Sequence, residues 1–505
     1  MCSYKQPVKT DFAKEVQILG SIVDTDHVAG RLKFDGDNRF NPTILPVAKT
    51  SRYDYIGLVR YDPAHEHEMY WCYMRWTRSE STGRRVLSCA TQALQLKSPD
   101  LTGRSRCGED VGWLNFDQGL NEGRLFFSPA GEPLLTIASN SQSQCMSIYV
   151  VDLRKYIPGL EKELGIGHVP IRFDRFVELY SPPPANMIEK NWMLLYDPDD
   201  SNELYVHQNM IPRKFSSLAN PLANQVGSDG DRCLQSLRSA YPNEDPDNEE
   251  NTISVHQGTN MLRVTMCEFP CEPTVHNTVL VSIVHVKLRN GEDIQYRRHS
   301  VVMNSTYPFD IMGYSPSLLF AGLDTSVMTY SVTMAWDTKA RTRPAYKDVG
   351  EAADPEPVAE EEPVLKAKPA TAKSEAKAEV KVGAAKTVQK PVEAEKDARR
   401  RRVRRDESGN SGESKPAVDP DFWMSTGQHA PWISSSDLEP LPKSDIVSRF
   451  QTTPEGERPS TNPFVSDFYH GWIDDHMIVT FGVSDQDSGF IQIDARQLFD
   501  CIRVC

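Results

Sequence analysis

The 505-residue chain contains no run of about 18 apolar residues that could cross a bilayer as a helix. Its opening stretch, Met1 to Leu19, lacks the apolar core of a secretory leader, so the expectation is a soluble chain with no membrane segment. Helical periodicity is nearly missing, and short helices are expected around Leu160 and Leu234 alone. The strand–helix alternation of an α/β nucleotide-binding domain is missing too. Without it, the strings Asp24 to Asp26, Asp35 to Asp37 and Asp229 to Asp231 are not metal–nucleotide motifs, and no metal and no cofactor are called for. There is no excess of positive charge: 56 Lys and Arg stand against 70 Asp and Glu, a net of −14, which argues against a nucleic-acid partner. C-x-x-C spacing is absent among the 10 cysteines. The close pairs Cys267 with Cys271 and Cys501 with Cys505 are spaced too widely for a redox or zinc knuckle, and both disulfides and buried free thiols remain open.

What is present is strand punctuation. Short β-branched or aromatic runs broken by Gly, Pro, Asn and Asp predict strands over Tyr55 to Tyr61, Glu68 to Trp76, Arg84 to Leu96, Arg124 to Phe127, Pro133 to Ala138, Ser147 to Leu153, Trp192 to Tyr196, Leu204 to Gln208, Met261 to Glu268, Val279 to Lys287, Gln295 to Met303 and Val327 to Trp336. Tight turns between them, such as Ser128 to Glu132, predict repeated antiparallel meanders, hence an all-β propeller or sandwich. Three regions follow: residues 1–340 as the main β part, 341–425 as a disordered Ala/Glu/Lys/Pro-rich insertion, and 426–505, where aromatic strand sequence resumes to complete the fold. The insertion ends near the basic run Arg399 to Arg405, which reads as a solvated linker, a nuclear address or a processing site. The sequon Asn304-Ser305-Thr306 is compatible with a secretory route and also arises by chance.

Five local strings carry the candidate chemistry. Asn41-Pro42, followed by Arg60, offers an amide and a guanidinium for sugar hydroxyls or phosphate, or is a turn before a strand. In Gly119 to Phe127, Glu122 and Arg124 lie two apart and share one strand face; they suit a general acid beside a cation, or a surface ion pair. Glu189-Lys190-Asn191-Trp192, with His207 and Arg213, combines an aromatic platform with cations, although a strand His is often structural. His256 to Arg263, including Asn260, is joined by His285. The last string, His470 to Asp475, offers the paired carboxylates Asp474 and Asp475 as a base, or one Asp as a turn cap.

Taken in order, these strings resemble the fungal β-1,2-mannosyltransferases and, more distantly, the β-mannoside phosphorylases built on a five-bladed β-propeller. In those proteins an Asn-Pro string opens the first blade and a Gly-x-Glu-Asp-x-Arg string follows in the second. A Glu-Lys-Asn-Trp string begins the third, and His-Gly then Asp-Asp precede a Ser-or-Thr-Phe-Gly strand near the end. Here Asn41-Pro42, Gly119 to Arg124, Glu189 to Trp192 and His470 to Gly482 are similar to them, as are GEPLLTIASNSQSQCMSIYVVDLR and YVHQNMIPRKF. One departure matters: the family has Glu-Asp where this chain has Asn121-Glu122, so the acid is one methylene longer.

The resemblance implies a glycosyltransferase of glycan and fungal cell-wall biosynthesis, moving mannose from a sugar-nucleotide or sugar-phosphate donor to a β-mannoside or mannan acceptor, with Golgi or secretory residence. In that picture Glu122 assists proton transfer alongside Asp474 and Asp475. Arg60, Arg124, Lys190 and Arg213 hold phosphate, and Asn41, Asn191, Trp192, His207, His256, Asn260, His285 and His470 orient sugars. The alternatives are a β-mannoside phosphorylase or hydrolase on the same scaffold, and an inactive propeller that binds glycan or protein.

Overall fold

The computed structural model describes residues 15–36, 39–61, 68–97, 107, 119–141, 145–167, 169–179, 188, 190–196, 204–218, 230–241, 252–291, 293–323, 327–341 and 466–505. The expected insertion, with its basic run, and Glu189 lie outside the described residues. The described chain is mostly β, and the strands expected from the sequence are present, except that the run Arg84 to Leu96 divides into two, Arg85–Cys89 and Leu94–Gln95.

Two short strands, β1 (Val16–Leu19) and β2 (Gly30–Lys33), precede a first antiparallel meander of β3 (Arg39–Pro46), β4 (Tyr55–Tyr61), β5 (Glu68–Arg78) and β6 (Arg85–Cys89), with β7 (Leu94–Gln95) on β5. The second meander is β8 (Asn121–Phe127), β9 (Pro133–Asn140) and β10 (Met146–Asp152). After the one-turn helix α1 (Leu160–Leu164), its outer strand β11 (Val177–Glu178) follows. The third is β12 (Met193–Tyr196), β13 (Leu204–Met210) and β14 (Arg213–Ser217). Helix α2 (Gly230–Ser239) then leads into a larger sheet of β15 (Thr252–Gln257), β16 (Leu262–Thr265), β17 (Thr278–Asn290), β18 (Asp293–Asn304), β19 (Ile311–Tyr314) and β20 (Ser317–Phe320). Next comes β21 (Thr329–Trp336). On the far side of the undescribed segment lie β22 (His470–Trp472), β23 (His476–Val483), β24 (Asp487–Asp494) and β25 (Arg503–Val504).

Strands from either side of the undescribed segment pair directly, β21 with β23 from Thr329↔Val483 to Trp336↔Met477. Strand β2 then joins the chain's end to its beginning, lying antiparallel to β24 and parallel to β6. The edges that β24 and β6 would otherwise leave open are thereby covered.

Apolar side chains alternate along these strands and meet between neighbouring meanders. One cluster joins β3–β5 to β8–β10 around Leu58, Leu125 and Val151. Another joins β8–β10 to β12–β13 around Ile148, Trp192 and Leu204, and a third joins β13–β14 and α2 to β17–β19 around Phe215, Leu234 and Phe309. A fourth joins β16–β20 to β21–β24 around Val281, Trp336 and Phe481. The last links the final meander back to the first through Ala335, Ile478 and Phe490 against Ile44, Tyr55 and Met74. Among the described residues all cysteines are disulfide-bonded, including Cys72–Cys89, Cys107–Cys145, Cys233–Cys505 and Cys267–Cys271. The thiol alternative is thus set aside, and Cys505 pairs across the chain with α2.

Candidate functional site

The site begins with interruptions in the inner strands. β3 skips register between Phe40 and Thr43, and β8 does so between Asn121 and Arg124. At each bulge a residue other than glycine takes a left-handed backbone: Asn41 at φ 52° and Glu122 at φ 51°; Asn191, just ahead of β12, stands at φ 63°. Such a conformation costs on the order of 1–3 kcal/mol and persists where the surroundings over-determine it. A bulge re-aims the side chain it carries. β3 and β8 are tied side by side just beyond these residues, because Leu125 N donates to Thr43 Oγ1 at 2.8 Å.

Around Glu122 the charges are mostly positive. Lys190 Nζ stands 3.4 Å from Glu122 Oε1. Burial would lift the Glu122 carboxyl, but the opposing pull of Lys190, Arg124 and Arg60 prevails and holds it below the usual carboxylate range. Arg124 is buried and fixed: Nε donates to Gly258 O at 3.0 Å and Nη2 to Tyr330 Oη at 3.1 Å. Gly258 is itself packed tightly against β17, where a Cβ would come within 2.6 Å of Ile283 O. Arg60, on β4, lies over the Phe40 ring at 5.3 Å.

Further groups face this carboxylate from distant elements. The carboxyl of Asp485, in the turn between β23 and β24 at φ 51°, is raised chiefly by burial, with Arg60 pulling it down, Glu122 pushing it up and Lys190 again pulling it down. Tyr296, on β18, is pushed up to about 12 by burial and then by Glu122 and Asp485. His256, half-buried on β15, is lowered by burial and Lys287, with Glu122 opposing, and its Nε2 lies 2.7 Å from Ser254 Oγ. Beneath them the buried His285 accepts a hydrogen bond from Ser331 N through Nε2 at 3.1 Å and packs against Tyr330. Burial and surrounding cations keep its imidazole neutral.

Of the residues expected from sequence, the structure gathers Glu122, Arg60, Arg124, Lys190 and His256 into one electrostatic neighbourhood, with His285 beneath. Asn41 reaches this rim through Gly482, whose position a Cβ would share with Asn41 Oδ1. The buried side-chain oxygens of Asn41 and Asn191 find no hydrogen-bond donor among the described residues.

The others are engaged elsewhere. Arg213 is buried, donating to Phe309 O at 2.6 Å and pairing with Asp310 at 3.8 Å, so its guanidinium ties a loop rather than facing a cavity. His207 is fully buried, stacked on Phe215 at 4.3 Å and lowered to about 3 by burial and then Arg213, which removes it as a proton carrier near neutral pH. Trp192 is a core residue. Asn260 brackets Met334, accepting from its N at 2.8 Å and donating to its O at 2.9 Å. His470 Nε2 bonds Thr265 Oγ1 at 2.8 Å. Asp475 Oδ2 accepts from Trp472 N at 2.9 Å and pairs with Arg341 at 3.2 Å, and Asp474 Oδ1 accepts from Phe269 N at 3.1 Å. The adjacent carboxylates are therefore turn and loop anchors, and the carboxylate that feels Glu122 is Asp485. Tyr296, Tyr330 and Lys287 carry no local sequence signal; the register pairing Lys287 with Ser254 and Tyr296 brings two of them in.

Among the described residues no group of three or more His, Cys, Asp or Glu converges as a metal site, and no helix is long and apolar enough to cross a membrane.

No protein-family model matches the chain, and no curated protein does. Among solved structures the chain is similar to the endo-arabinase from Bacteroides thetaiotaomicron, at 10% identity and TM-score 0.27, over 62% of this chain and 92% of that one. It is also similar to the Aspergillus kawachii β-fructofuranosidase complexed with glycerol, at 9% identity and TM-score 0.31, over 64% of this chain and 52% of that one. Likeness at this level says nothing about substrate or mechanism.

Proposed function

We propose that this chain is a five-bladed β-propeller that cleaves β-mannosides with inorganic phosphate at the Glu122 cluster. The five apolar clusters, the last returning from the final meander to the first, support the ring. One observation carries the chemistry: the Glu122 carboxylate is set among three cations, Lys190, Arg124 and Arg60, whose pull outweighs its burial. Hydrolysis by side chains alone asks for two cooperating carboxyls, and Asp485 is a second one coupled to Glu122, so dependence on phosphate is what separates the two reactions. Phosphorolysis asks for one acid and a pocket for an anion that brings its own nucleophilic oxygen. The choice of sugar rests on the resemblance of the Asn-Pro, Gly-to-Arg and Lys-Asn-Trp strings to the mannoside enzymes.

In this reading a phosphate oxygen attacks the anomeric carbon as the glycosidic C–O bond breaks, and the departing hydroxyl takes its proton from Glu122. The proton of hydrogen phosphate restores the acid, so the reaction balances as glycoside plus hydrogen phosphate giving alcohol plus sugar 1-phosphate. An ionised Glu122 is a poor acid, but a phosphate dianion cancels the cations and lifts its pKa where a proton is needed. Transfer from a sugar nucleotide is the competing enzymatic reading. Binding without turnover is another, favoured by the ionised state of Glu122 and its extra methylene.

The deciding experiment incubates the full chain with β-mannooligosaccharides with and without phosphate, and separately with GDP-mannose and the same acceptors. Mannose 1-phosphate formed in the first case, and lost in Glu122→Gln, is the expected result. Free mannose independent of phosphate, a longer chain made from GDP-mannose alone, or binding with no product would each overturn it.

A further inference from the structure

Strands β17 and β18 form the longest hairpin described, from Thr278 to Asn304. Along β17 the side chains of His285, Lys287 and Arg289 fall on one face, since alternate residues share a face. The register sets His256, Ser254 and Thr252 of β15 beside them on one flank, and Arg298, Tyr296 and Ile294 of β18 on the other. The opposite face of the hairpin is apolar: Val284, Val286 and the half-buried Leu288 pack into the core with Phe309 and Leu234. Burial falls off along β17, from the core residue Val286 to the exposed Arg289 and Asn290. The polar face thus runs from the buried His285 out to solvent.

That face adjoins the Glu122 string, because Tyr296 packs edge-on against Tyr330 at 5.2 Å and Tyr330 Oη accepts from Arg124 Nη2 at 3.1 Å. Tyr296 and His256, on its two flanks, both feel the Glu122 carboxylate. Lys287 feels it too, but burial, Arg289 and Lys190 outweigh it and lower the Lys287 ammonium. Cations are therefore crowded against one another here, on a chain whose net charge is −14. Same-face neighbours on a strand lie about 7 Å apart, so Lys287 and Arg289 extend the positive ground of the site outward rather than adding to it at one point. Arg289 is held at the hairpin's end by a 3.1 Å hydrogen bond from Nε to Gly291 O.

We infer that the β17–β18 hairpin is a cationic wall, built by Lys287 and Arg289, that selects glycans carrying their own anionic group beyond the bond cleaved at Glu122. This deepens, and rests on, the reading of the Glu122 cluster as a glycoside site. The recognised chemistry is a fixed negative charge on a sugar remote from the scission point. A phosphate ester and a uronic-acid carboxylate both supply it, and the wall's two separate cations, one per position, favour neither.

The test measures binding to the full chain of three probes of equal length by calorimetry at low and high salt: a neutral β-mannooligosaccharide, the same chain bearing a terminal phosphate ester, and one ending in a uronic acid. Two partly exposed pairs predict a preference of about tenfold for the charged probes at low salt, shrinking as salt rises. Lys287→Gln/Arg289→Gln should abolish the preference, and Lys287→Glu/Arg289→Glu should reverse it to favour the neutral probe. The phosphate-ester arm against the uronic-acid arm tells which source is preferred. Equal affinity for neutral and charged probes, or a preference untouched by both double variants, overturns the wall. A charge preference seen in a chain that forms no mannose 1-phosphate upholds the wall and refutes the phosphorolysis reading, so the two failures are told apart.

Discussion

Lys190 Nζ lies 3.4 Å from Oε1 of Glu122, a carboxylate whose own backbone is held in the left-handed region at φ 51°. The two residues come from different meanders, and each is about a quarter to two-fifths open, with side-chain exposures of 22% for Glu122 and 41% for Lys190. An ion pair this exposed contributes at most about 1 kcal/mol to folding, so its value is in setting the charge state of Glu122.

That charge state should respond to what binds. The Glu122 carboxyl is held below its ordinary value by Lys190, Arg124 and Arg60 against the effect of burial. Its contribution to stability is thus present above the ordinary carboxylate pKa and fades as pH falls through the lowered one. Saturating phosphate should raise the Glu122 pKa, and Lys190→Met should raise it without phosphate. Carbon-detected NMR of the glutamate carboxyls, with Glu122→Gln identifying the resonance, reads both shifts. An unmoved resonance on adding phosphate would mean that the anion binds elsewhere.

Acid should unsettle the fold before the carboxylates titrate. His207 is pushed down to about 3, by burial and then Arg213, and His299 to about 4, chiefly by burial. Above the unfolded value near 6.5 both states are neutral and the histidines are indifferent to pH. Below it the unfolded chain takes up protons that the folded chain refuses, so each histidine removes about 1.4 kcal/mol per pH unit until its folded pKa is reached. Urea midpoints followed from about pH 6.5 to 5 should fall steeply, and His207→Gln should lessen that slope by roughly one proton's worth. An unchanged slope would mean that His207 is not held neutral in the fold.

A buried ion pair should matter more than any at the surface. Asp152 and Arg154 have side chains 0% and 1% exposed, and the guanidinium meets both carboxylate oxygens, Nη2 to Oδ2 at 2.6 Å and Nε to Oδ1 at 3.0 Å. Its remaining N–H groups donate to Val169 O at 2.6 Å and Pro170 O at 2.9 Å. Asp152→Ala would leave the guanidinium buried without its counter-ion, a loss of about 3–5 kcal/mol, whereas replacing both residues by apolar ones should cost less. Denaturant unfolding of the two variants decides it.

The sequence exposed the strands more readily than the site. Runs such as Tyr55 to Tyr61 and Pro133 to Ala138 alternate or stay apolar between turn residues, a signal contained in the segment itself. The bulges at Asn41 and Glu122 were legible as polar strings but not as left-handed turns, because backbone conformation at a bulge is set by the neighbouring strand. Asp474-Asp475 read either as a paired base or as one turn cap, and their turn uses them as hydrogen-bond acceptors. Asp485 comes under the influence of Glu122 only once the β23–β24 hairpin has folded. Tyr296 and Lys287 sit in long regular strands where nothing local marks them, and Cys505 finds Cys233 across 272 residues, beyond the reach of any spacing rule.

Gly482 ties the last meander to the first at the rim of the site. It sits opposite Tyr330 on β21 and Ser488 on β24, and a Cβ there would run into Oδ1 of Asn41. Gly482→Ala must push the Asn41 amide aside, at a stability cost of about 1–3 kcal/mol for overpacking. If Asn41 holds substrate, turnover of β-mannosides should fall by about tenfold or more, since small misplacements at a reacting centre are expensive. Asn41→Ala added to Gly482→Ala relieves the collision, so the double variant should recover stability but not activity, a coupling that a double-mutant cycle isolates. Full activity in Gly482→Ala would remove Asn41 from the site and leave the Glu122 cations to orient the sugar alone.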